Sequence, residues 1–89
     1  MSNSEFRQYK RKQVAELRPV TDLDIFEYEK LGRIPVVVNK DNVISVSISD
    51  VDEENGSPKS GDMIARNPKN HLDQWLVAKE YFENNFEEL

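Results

Sequence analysis

The sequence predicts an α+β domain with a small, mainly antiparallel sheet and one or two short helices. Ile44, Val46 and Ile48 alternate with serines over residues 43–49, which is the period-two pattern of a half-buried strand. A β-branched run over residues 34–38 precedes it, and short polar clusters separate these segments. Because the chain has 89 residues and no cysteine, we expect one domain over residues 1–89 without disulfides.

The first segment, residues 9–20, fits two conformations. Tyr9, Val14 and Leu17 fall near helical spacing, and Pro19 would then end the helix. Alternate residues of the same segment would equally line one face of a strand. The periodicity leaves both conformations open, and residues 1–8 are expected to form a flexible N-terminus.

A short helix and a hairpin are predicted next. Thr21 is suited to cap a helix whose first turn holds acidic residues, and Gly32 is suited to end it, so we expect a helix over residues 22–31. The polar cluster at residues 39–42 lies between two apolar runs, which predicts a hairpin across residues 34–49.

Residues 49–56 predict one helical turn. Ser49 would cap it, acidic residues lie near its positive end, and Gly56 can take a left-handed closing conformation. The alternating acids also suggest a calcium loop, but its sixth position is Asn55 and its twelfth is Gly61, where glycine and glutamate are needed. We therefore predict no metal site here.

The last third of the chain begins with a turn and a strand and then has two interpretations. Turn residues precede a strand predicted at residues 63–66, and Asp62 is expected to bond nearby backbone amides. Residues 72–86 would make one amphipathic helix, or else a strand at 74–77 followed by a helix at about 79–84.

The large aromatic residues are assigned mainly to the core. We expect Trp75 to anchor it, since an aromatic side chain buries roughly 150–250 Å². Of Tyr81, Phe82 and Phe86, at most two can face one core, so the third is expected to be an exposed contact point. A small apolar patch rimmed with acids would suit a protein partner or self-association.

Charge is distributed unevenly along the chain, whose net charge is −5. Residues 1–18 hold five bases and two acids, residues 19–60 four bases and nine acids, and residues 61–89 three bases and six acids. An acidic body repels phosphate backbones, so general nucleic-acid binding is disfavoured, although the basic arm could touch a few phosphates. The longest apolar run is residues 34–38, and the N-terminus lacks a signal-peptide pattern, so we expect no membrane partner and a cytoplasmic location.

The residue inventory favours binding over catalysis. His71 is the only histidine, no serine lies in a Gly-x-Ser-x-Gly turn, and the three glycines are too scattered to cradle a phosphate. We therefore predict that the protein is not an enzyme and has no cofactor. The candidate binding residues are polar or basic and lie in a predicted loop at 66–71 and in the N-terminal arm: Arg66, Asn67, Lys69, Asn70, His71, Lys10, Arg11 and Lys12.

Both ends of the chain resemble small, mostly uncharacterised bacteriophage and prophage proteins. The matching residues are the run Gly61-Asp62-Met63-Ile64-Ala65-Arg66-Asn67, the segment Asp73-Gln74-Trp75-Leu76-Val77, Phe82 and Phe86-Glu87. The basic segment at residues 9–16 is similar to the first strand usual in those proteins. The resemblance implies strands at residues 10–18 and 73–78 and a phage origin, with the host cytoplasm as location. It supplies no catalytic residues.

These observations predict a non-enzymatic phage accessory protein that binds a host or phage protein and modulates it. One alternative is nucleic-acid contact through the basic N-terminal segment, with Arg66 and Lys69 contributing. Another is mimicry of DNA by the carboxylates of residues 50–54 and 80–88, which would inhibit a DNA-binding protein.

Overall fold

The computed structural model describes residues 14–87, which form two antiparallel β-sheets and three short helices. The α+β prediction is confirmed. The elements in chain order are β1 Glu16–Pro19, α1 Asp22–Leu31, β2 Pro35–Asn39, β3 Asn42–Ser45, α2 Asp50–Glu54, β4 Met63–Asn67, β5 Asn70–Val77 and α3 Lys79–Asn85. None of these helices has the length and apolar character needed to cross a membrane.

Helix α1 has the predicted bounds because its ends carry specific caps. The Thr21 hydroxyl accepts a hydrogen bond from the Asp24 backbone N–H at 3.1 Å, and the Asp24 carboxylate accepts one from the Thr21 N–H at 2.8 Å. This reciprocal capping box satisfies two amide donors that a helix start otherwise leaves unpaired. Gly32 ends the helix in the left-handed conformation, with φ of 73°.

The predicted hairpin is confirmed as β2 and β3. The side-chain carbonyl oxygen of Asn39 accepts hydrogen bonds from the Asp41 backbone N–H at 3.0 Å and from the Asn42 side-chain amide at 2.9 Å. These two bonds fix the turn. Strand β3 ends at Ser45, earlier than the seven-residue strand predicted. The predicted alternation nevertheless holds, since Val46 is buried between exposed serines.

The second sheet has the order β1-β4-β5, and it resolves both open alternatives in favour of strands. Residues 16–19 pair with β4, and the tail forms β5 followed by the short helix α3. Pro19 lies inside β1 and does not end a helix, so the helical interpretation of residues 14–19 is wrong. The part of the predicted first strand at residues 10–13 lies outside the described residues.

Residues 46 and 47 join the two sheets. The Val46 N–H donates to the Ile34 carbonyl at 3.0 Å, which extends the β2–β3 pairing. The Ser47 N–H then donates to the Gln74 carbonyl at 3.0 Å, and its own carbonyl accepts from the Leu76 N–H at 2.8 Å. The chain therefore passes from the hairpin onto the edge of β5, and the two sheets are held as one body.

The core between the sheets is aliphatic, and the prediction that Trp75 anchors it is wrong. Its buried members are Val20, Ile34, Val46, Ile64 and Leu76. Trp75 is paired with Ala65, and successive residues of a strand point to opposite faces, so its ring lies on the face away from Ile64 and Leu76. Trp75 itself is half-buried, although Ala65 and Val77 on the same face are buried.

The aromatic residues of α3 form a separate small cluster. The rings of Phe82 and Phe86 stack with centroids 5.9 Å apart, and both side chains are half-buried. Tyr81 is exposed, in agreement with the prediction that one of these three aromatic residues stays outside.

A buried carboxylate organises the end of the fold where β4 begins. Asp62 is fully buried, with 0% of its surface exposed, and accepts hydrogen bonds from the Ser57 hydroxyl at 2.7 Å, the Lys59 N–H at 3.0 Å and the Lys79 N–H at 3.0 Å. We call these four residues the Asp62 cluster. The predicted backbone bonding of Asp62 is confirmed, and its reach extends to α3, which has no side-chain cap of its own.

Both outer strands carry a proline on their outer edge. In β1 the Val20 N–H bonds the Asp62 carbonyl, so the alternation of an antiparallel ladder turns the backbone of Leu17 and Pro19 away from β4. In β2 the Val46–Ile34 bond turns Pro35 outward in the same way. Proline lacks the donor that strand pairing needs, and it is tolerated here because it faces no partner strand within residues 14–87.

Candidate functional site

A groove runs between β2 and the inner face of the β1-β4-β5 sheet. It holds about 350 Å³ and we call it the inner groove; a separate, more open depression of about 440 Å³, the outer notch, shares no lining residue with it, and the two together are called the inter-sheet groove. The inner groove is lined by apolar and polar residues together: Glu16, Leu17, Val36, Ile64, Arg66 and Gln74, with Arg18 at its rim. The outer notch lies between the two hairpin tips and is lined by Val38, Asn39, Lys69, Asn70 and His71, with Pro68 and Leu72 completing it.

The alternation of side chains along β2 explains how one strand serves both parts. Val36 lines the inner groove and Val38 the outer notch, and both are half-buried. Val37, between them, is 72% exposed on the opposite face. Since residues two apart share a face, β2 supplies an apolar wall along the length of the groove.

Glu16 connects the charged residues of the groove. Its carboxylate accepts a hydrogen bond from Arg66 Nε at 2.7 Å and lies 3.6 Å from His71 Nε2. The strand register places Glu16 directly opposite Arg66, which in turn lies opposite Gln74. The Gln74 side-chain amide donates to the His71 carbonyl at 3.0 Å, which holds the start of β5 in place.

Arg18 and Asp24 form a second ion pair beside the inner groove. The two terminal nitrogens of Arg18 donate to the two carboxylate oxygens of Asp24 at 2.7 and 3.3 Å. Burial by itself would raise the pKa of Asp24. Hydrogen bonds from Arg18 and Thr21, together with the charge of the guanidinium, outweigh that effect and hold the pKa below its usual value. Asp24 therefore remains charged and keeps Arg18 beside α1.

The predicted loop at residues 66–71 is shorter in the structure. Arg66 and Asn67 belong to β4, and Asn70 and His71 belong to β5, so only residues 68 and 69 form the turn. The strands continue because the side-chain carbonyls of Asn67 and Asn70 accept the Lys69 N–H at 2.9 Å and the Leu72 N–H at 3.1 Å. Such bonds let asparagine stabilise the tight turn at the hairpin tip.

The structure brings some of the predicted site residues together and separates others. Lys69, Asn70 and His71 line the outer notch, and Arg66 lines the inner groove. Asn67 supports the turn and lines neither part. The basic residues Lys10, Arg11 and Lys12 lie outside the described residues.

Most residues of the groove were not predicted from the sequence, among them Glu16, Val36, Val38 and Asn39. Asn39 had a usable signal, since it opens the polar cluster that predicts the hairpin turn. The position of Glu16 follows from its pairing with Arg66, fifty residues away, and no local pattern carries that information.

Elsewhere the acidic side chains are partly engaged in the fold. Ser49 caps α2 as predicted, accepting the Asp52 N–H at 3.1 Å. The Tyr28 hydroxyl of α1 donates a hydrogen bond to the carboxylate of Glu53, and this bond raises the pKa of Tyr28 above its ordinary value. Within residues 14–87, no group of three or more acidic or histidine side chains is placed to hold a metal ion.

Comparison of the chain with protein-family models, with curated proteins and with solved structures finds no match in any of the three.

Proposed function

We propose that the protein is a non-enzymatic accessory protein that binds a segment of a host or phage protein in the inter-sheet groove and modulates it. The observation that carries this proposal is the composition of the groove, where an apolar wall from β2 faces polar and charged side chains from the other sheet. Apolar contact supplies affinity, and placed polar groups supply orientation and specificity.

The edges of the sheets support binding by side chains over binding by strand addition. A peptide that extends a sheet needs a row of unpaired N–H and C=O groups. Pro19 and Pro35 interrupt that row on β1 and β2. A partner segment in the groove would therefore be held through side-chain contacts such as those of Val36, Val38 and Arg66.

The two alternative functions have less support from the described residues. Nucleic-acid contact would draw on Arg66, but its guanidinium is paired with Glu16 at 2.7 Å. Mimicry of DNA would draw on the acids of residues 50–54, but Glu53 is bonded to Tyr28. Neither alternative has an observation that favours it over the groove.

Neighbouring valines of β2 provide a matched test. Val38→Asp puts a charge into the groove, whereas Val37→Asp puts the same charge on the opposite face of the same strand. Tagged wild-type protein and both variants are used to capture proteins from nuclease-treated host lysate, after circular dichroism has shown that each variant is folded. We expect a specific protein at near-stoichiometric level with the wild type and Val37→Asp, and its loss with Val38→Asp.

Two results would contradict the proposal. One is recovery of no specific protein by the wild type. The other is equal recovery by the folded Val38→Asp variant, which would place the contact elsewhere. A partner recovered from untreated lysate but not from nuclease-treated lysate would favour the nucleic-acid alternative.

A further inference from the structure

We propose that the outer notch binds a carboxylate, and that the partner segment recognised in the inter-sheet groove is an acidic stretch of protein; this inference rests on the proposed function above.

Asn39 and Asn70 both line the notch, and the acceptor oxygens of their side chains are already used. A backbone N–H can be accepted only by the carbonyl oxygen of an asparagine side chain. The carbonyl of Asn39 accepts the Asp41 N–H, and that of Asn70 accepts the Leu72 N–H. Each side chain is thereby oriented, and its NH₂ group makes no hydrogen bond within the part of the chain that the structure describes.

The charge of the notch matches a small anion. Lys69 contributes an ammonium group, and none of the seven lining residues is acidic. The Glu16 carboxylate, 3.6 Å from His71 Nε2, belongs to the lining of the inner groove. Two amide donors and one ammonium suit a group that only accepts hydrogen bonds, and an ionised carboxylate is such a group.

A carboxylate fits better than a nucleic-acid phosphate backbone. Tight binding of a polyanion depends on several cations that release its counterions, and Lys69 is the one Lys or Arg side chain among the seven residues that line the notch, which suits a singly charged carboxylate. The notch also has apolar lining from Val38 and the exposed side chain of Leu72. An acidic residue next to an aliphatic one would use both the donors and this lining.

The test uses the full-length protein labelled with ¹⁵N and a defined probe, the peptide acetyl-Glu-Leu-Glu-amide. Side-chain NH₂ groups of asparagine have their own signals in ¹H–¹⁵N spectra, so the proposed donors are observed directly. We expect the signals of Asn39 and Asn70 to shift and to saturate with a Kd on the order of 1 mM, which corresponds to a few weak contacts. Acetyl-Gln-Leu-Gln-amide, sodium phosphate and a deoxythymidine octamer are titrated in parallel.

One substitution separates binding from folding. Asn70→Asp keeps the carbonyl-type acceptor for the Leu72 N–H, so the turn is retained, but it replaces the donor with a negative charge. We expect this variant to weaken binding of the glutamate peptide at least about tenfold. Asn84→Asp makes the same charge change on the exposed surface of α3 and is expected to bind as the wild type does.

Three results would overturn the inference: equal shifts with the glutamine peptide, unchanged affinity of Asn70→Asp, or shifts of these two side chains with only phosphate or the oligonucleotide. Failure here is distinguishable from failure of the proposed function. A lysate partner that is lost with Val38→Asp, combined with no response to the glutamate peptide, would remove the carboxylate inference alone. A response to the peptide without any captured partner would remove the proposed function alone.

Discussion

The two ends of β4 differ in what their polar groups do. Where β4 begins, the carboxylate of Asp62 is fully buried and accepts three hydrogen bonds from other parts of the chain. Where β4 ends, Asn67 and Asn70 satisfy only the turn itself, and the adjoining notch is open to solvent. Polar groups at the first end stabilise the fold, whereas the side-chain amide donors of Asn39 and Asn70 at the second end have no hydrogen-bond partner within residues 14–87, so the same strand connects a structural region to the proposed binding region.

The largest expected effect comes from the core that lies between these ends. Ile34 is 1% exposed, and Ile34→Ala is expected to lower the free energy of unfolding by about 3 kcal/mol because it leaves a cavity. Val37→Ala, on the exposed face of β2, is expected to change it by less than about 0.5 kcal/mol. Urea denaturation measures both. Equal losses would show that the outer face of β2 is covered in solution.

The next effect concerns the Asp62 cluster directly. Asp62→Asn replaces an acceptor oxygen with a donor that faces N–H or O–H groups, and we expect a loss of about 2 kcal/mol. Asp73→Asn, on the exposed part of β5, is the matched control and should lie within about 0.5 kcal/mol of the wild type. If Asp62→Asn also lowers the free energy of unfolding by less than about 0.5 kcal/mol, the three hydrogen bonds of Asp62 do not stabilise the end of the fold where β4 begins.

A smaller effect depends on pH and tests the ion pair beside the inner groove. The folded-state pKa of Asp24 lies below its ordinary value, so its stabilising contribution is present above the unfolded pKa and is lost as the pH falls through the folded pKa. We expect Asp24→Asn to cost about 1 kcal/mol at pH 6 and progressively less as the pH falls. Urea unfolding from pH 2 to pH 6 measures the difference, and a gap that does not narrow in acid would contradict it. Asp22→Asn, exposed in the same helical turn, serves as control.

The smallest expected effect lies at the hairpin tips. Asn70→Asp should change the free energy of unfolding by about 0.5 kcal/mol or less, because it keeps the turn acceptor and the residue is exposed. If this variant folds as the wild type does and still fails to bind the glutamate peptide, the end of β4 serves binding and contributes little to stability. A stability loss as large as that of Asp62→Asn would show that the tip is structural as well.

The sequence predicted those elements that are determined by residues within or next to the element itself. Helix α1 could be placed because Thr21 and Gly32 cap it, and the first hairpin because a polar cluster separates two apolar runs. Trp75 was wrongly assigned to the core because the prediction used only the size of its side chain. The face of the sheet on which a strand residue lies depends on the register of the strand. That register became visible only through the pairing of Trp75 with Ala65.

The candidate site was only partly predictable for a related reason. Polar residues at positions 66–71 suggested a loop, but most of them belong to β4 and β5. The pairing of these two strands is irregular there: Arg66 pairs with Gln74 and the next residue, Asn67, pairs with Asn70, four residues away from Gln74. The groove itself is formed by β1, β2 and the β4–β5 hairpin, which are distant from one another in sequence. Long-range pairing of this kind leaves no periodic pattern in any one segment.

The prolines of the outer strands also affect how copies of this protein behave when crowded. A sheet grows into a fibre when each newly added strand offers the next one an uninterrupted ladder. On the outer edge of β1, Leu17 directs its N–H and C=O outward, but the next outward position is Pro19, which has no N–H. On the outer edge of β2, Pro35 likewise lacks the N–H, and Val37 is the next outward residue that has one. Edge-to-edge pairing of one copy with another is therefore interrupted at these two strands. The two edges resist the open-ended polymerisation to which small sheets are otherwise prone.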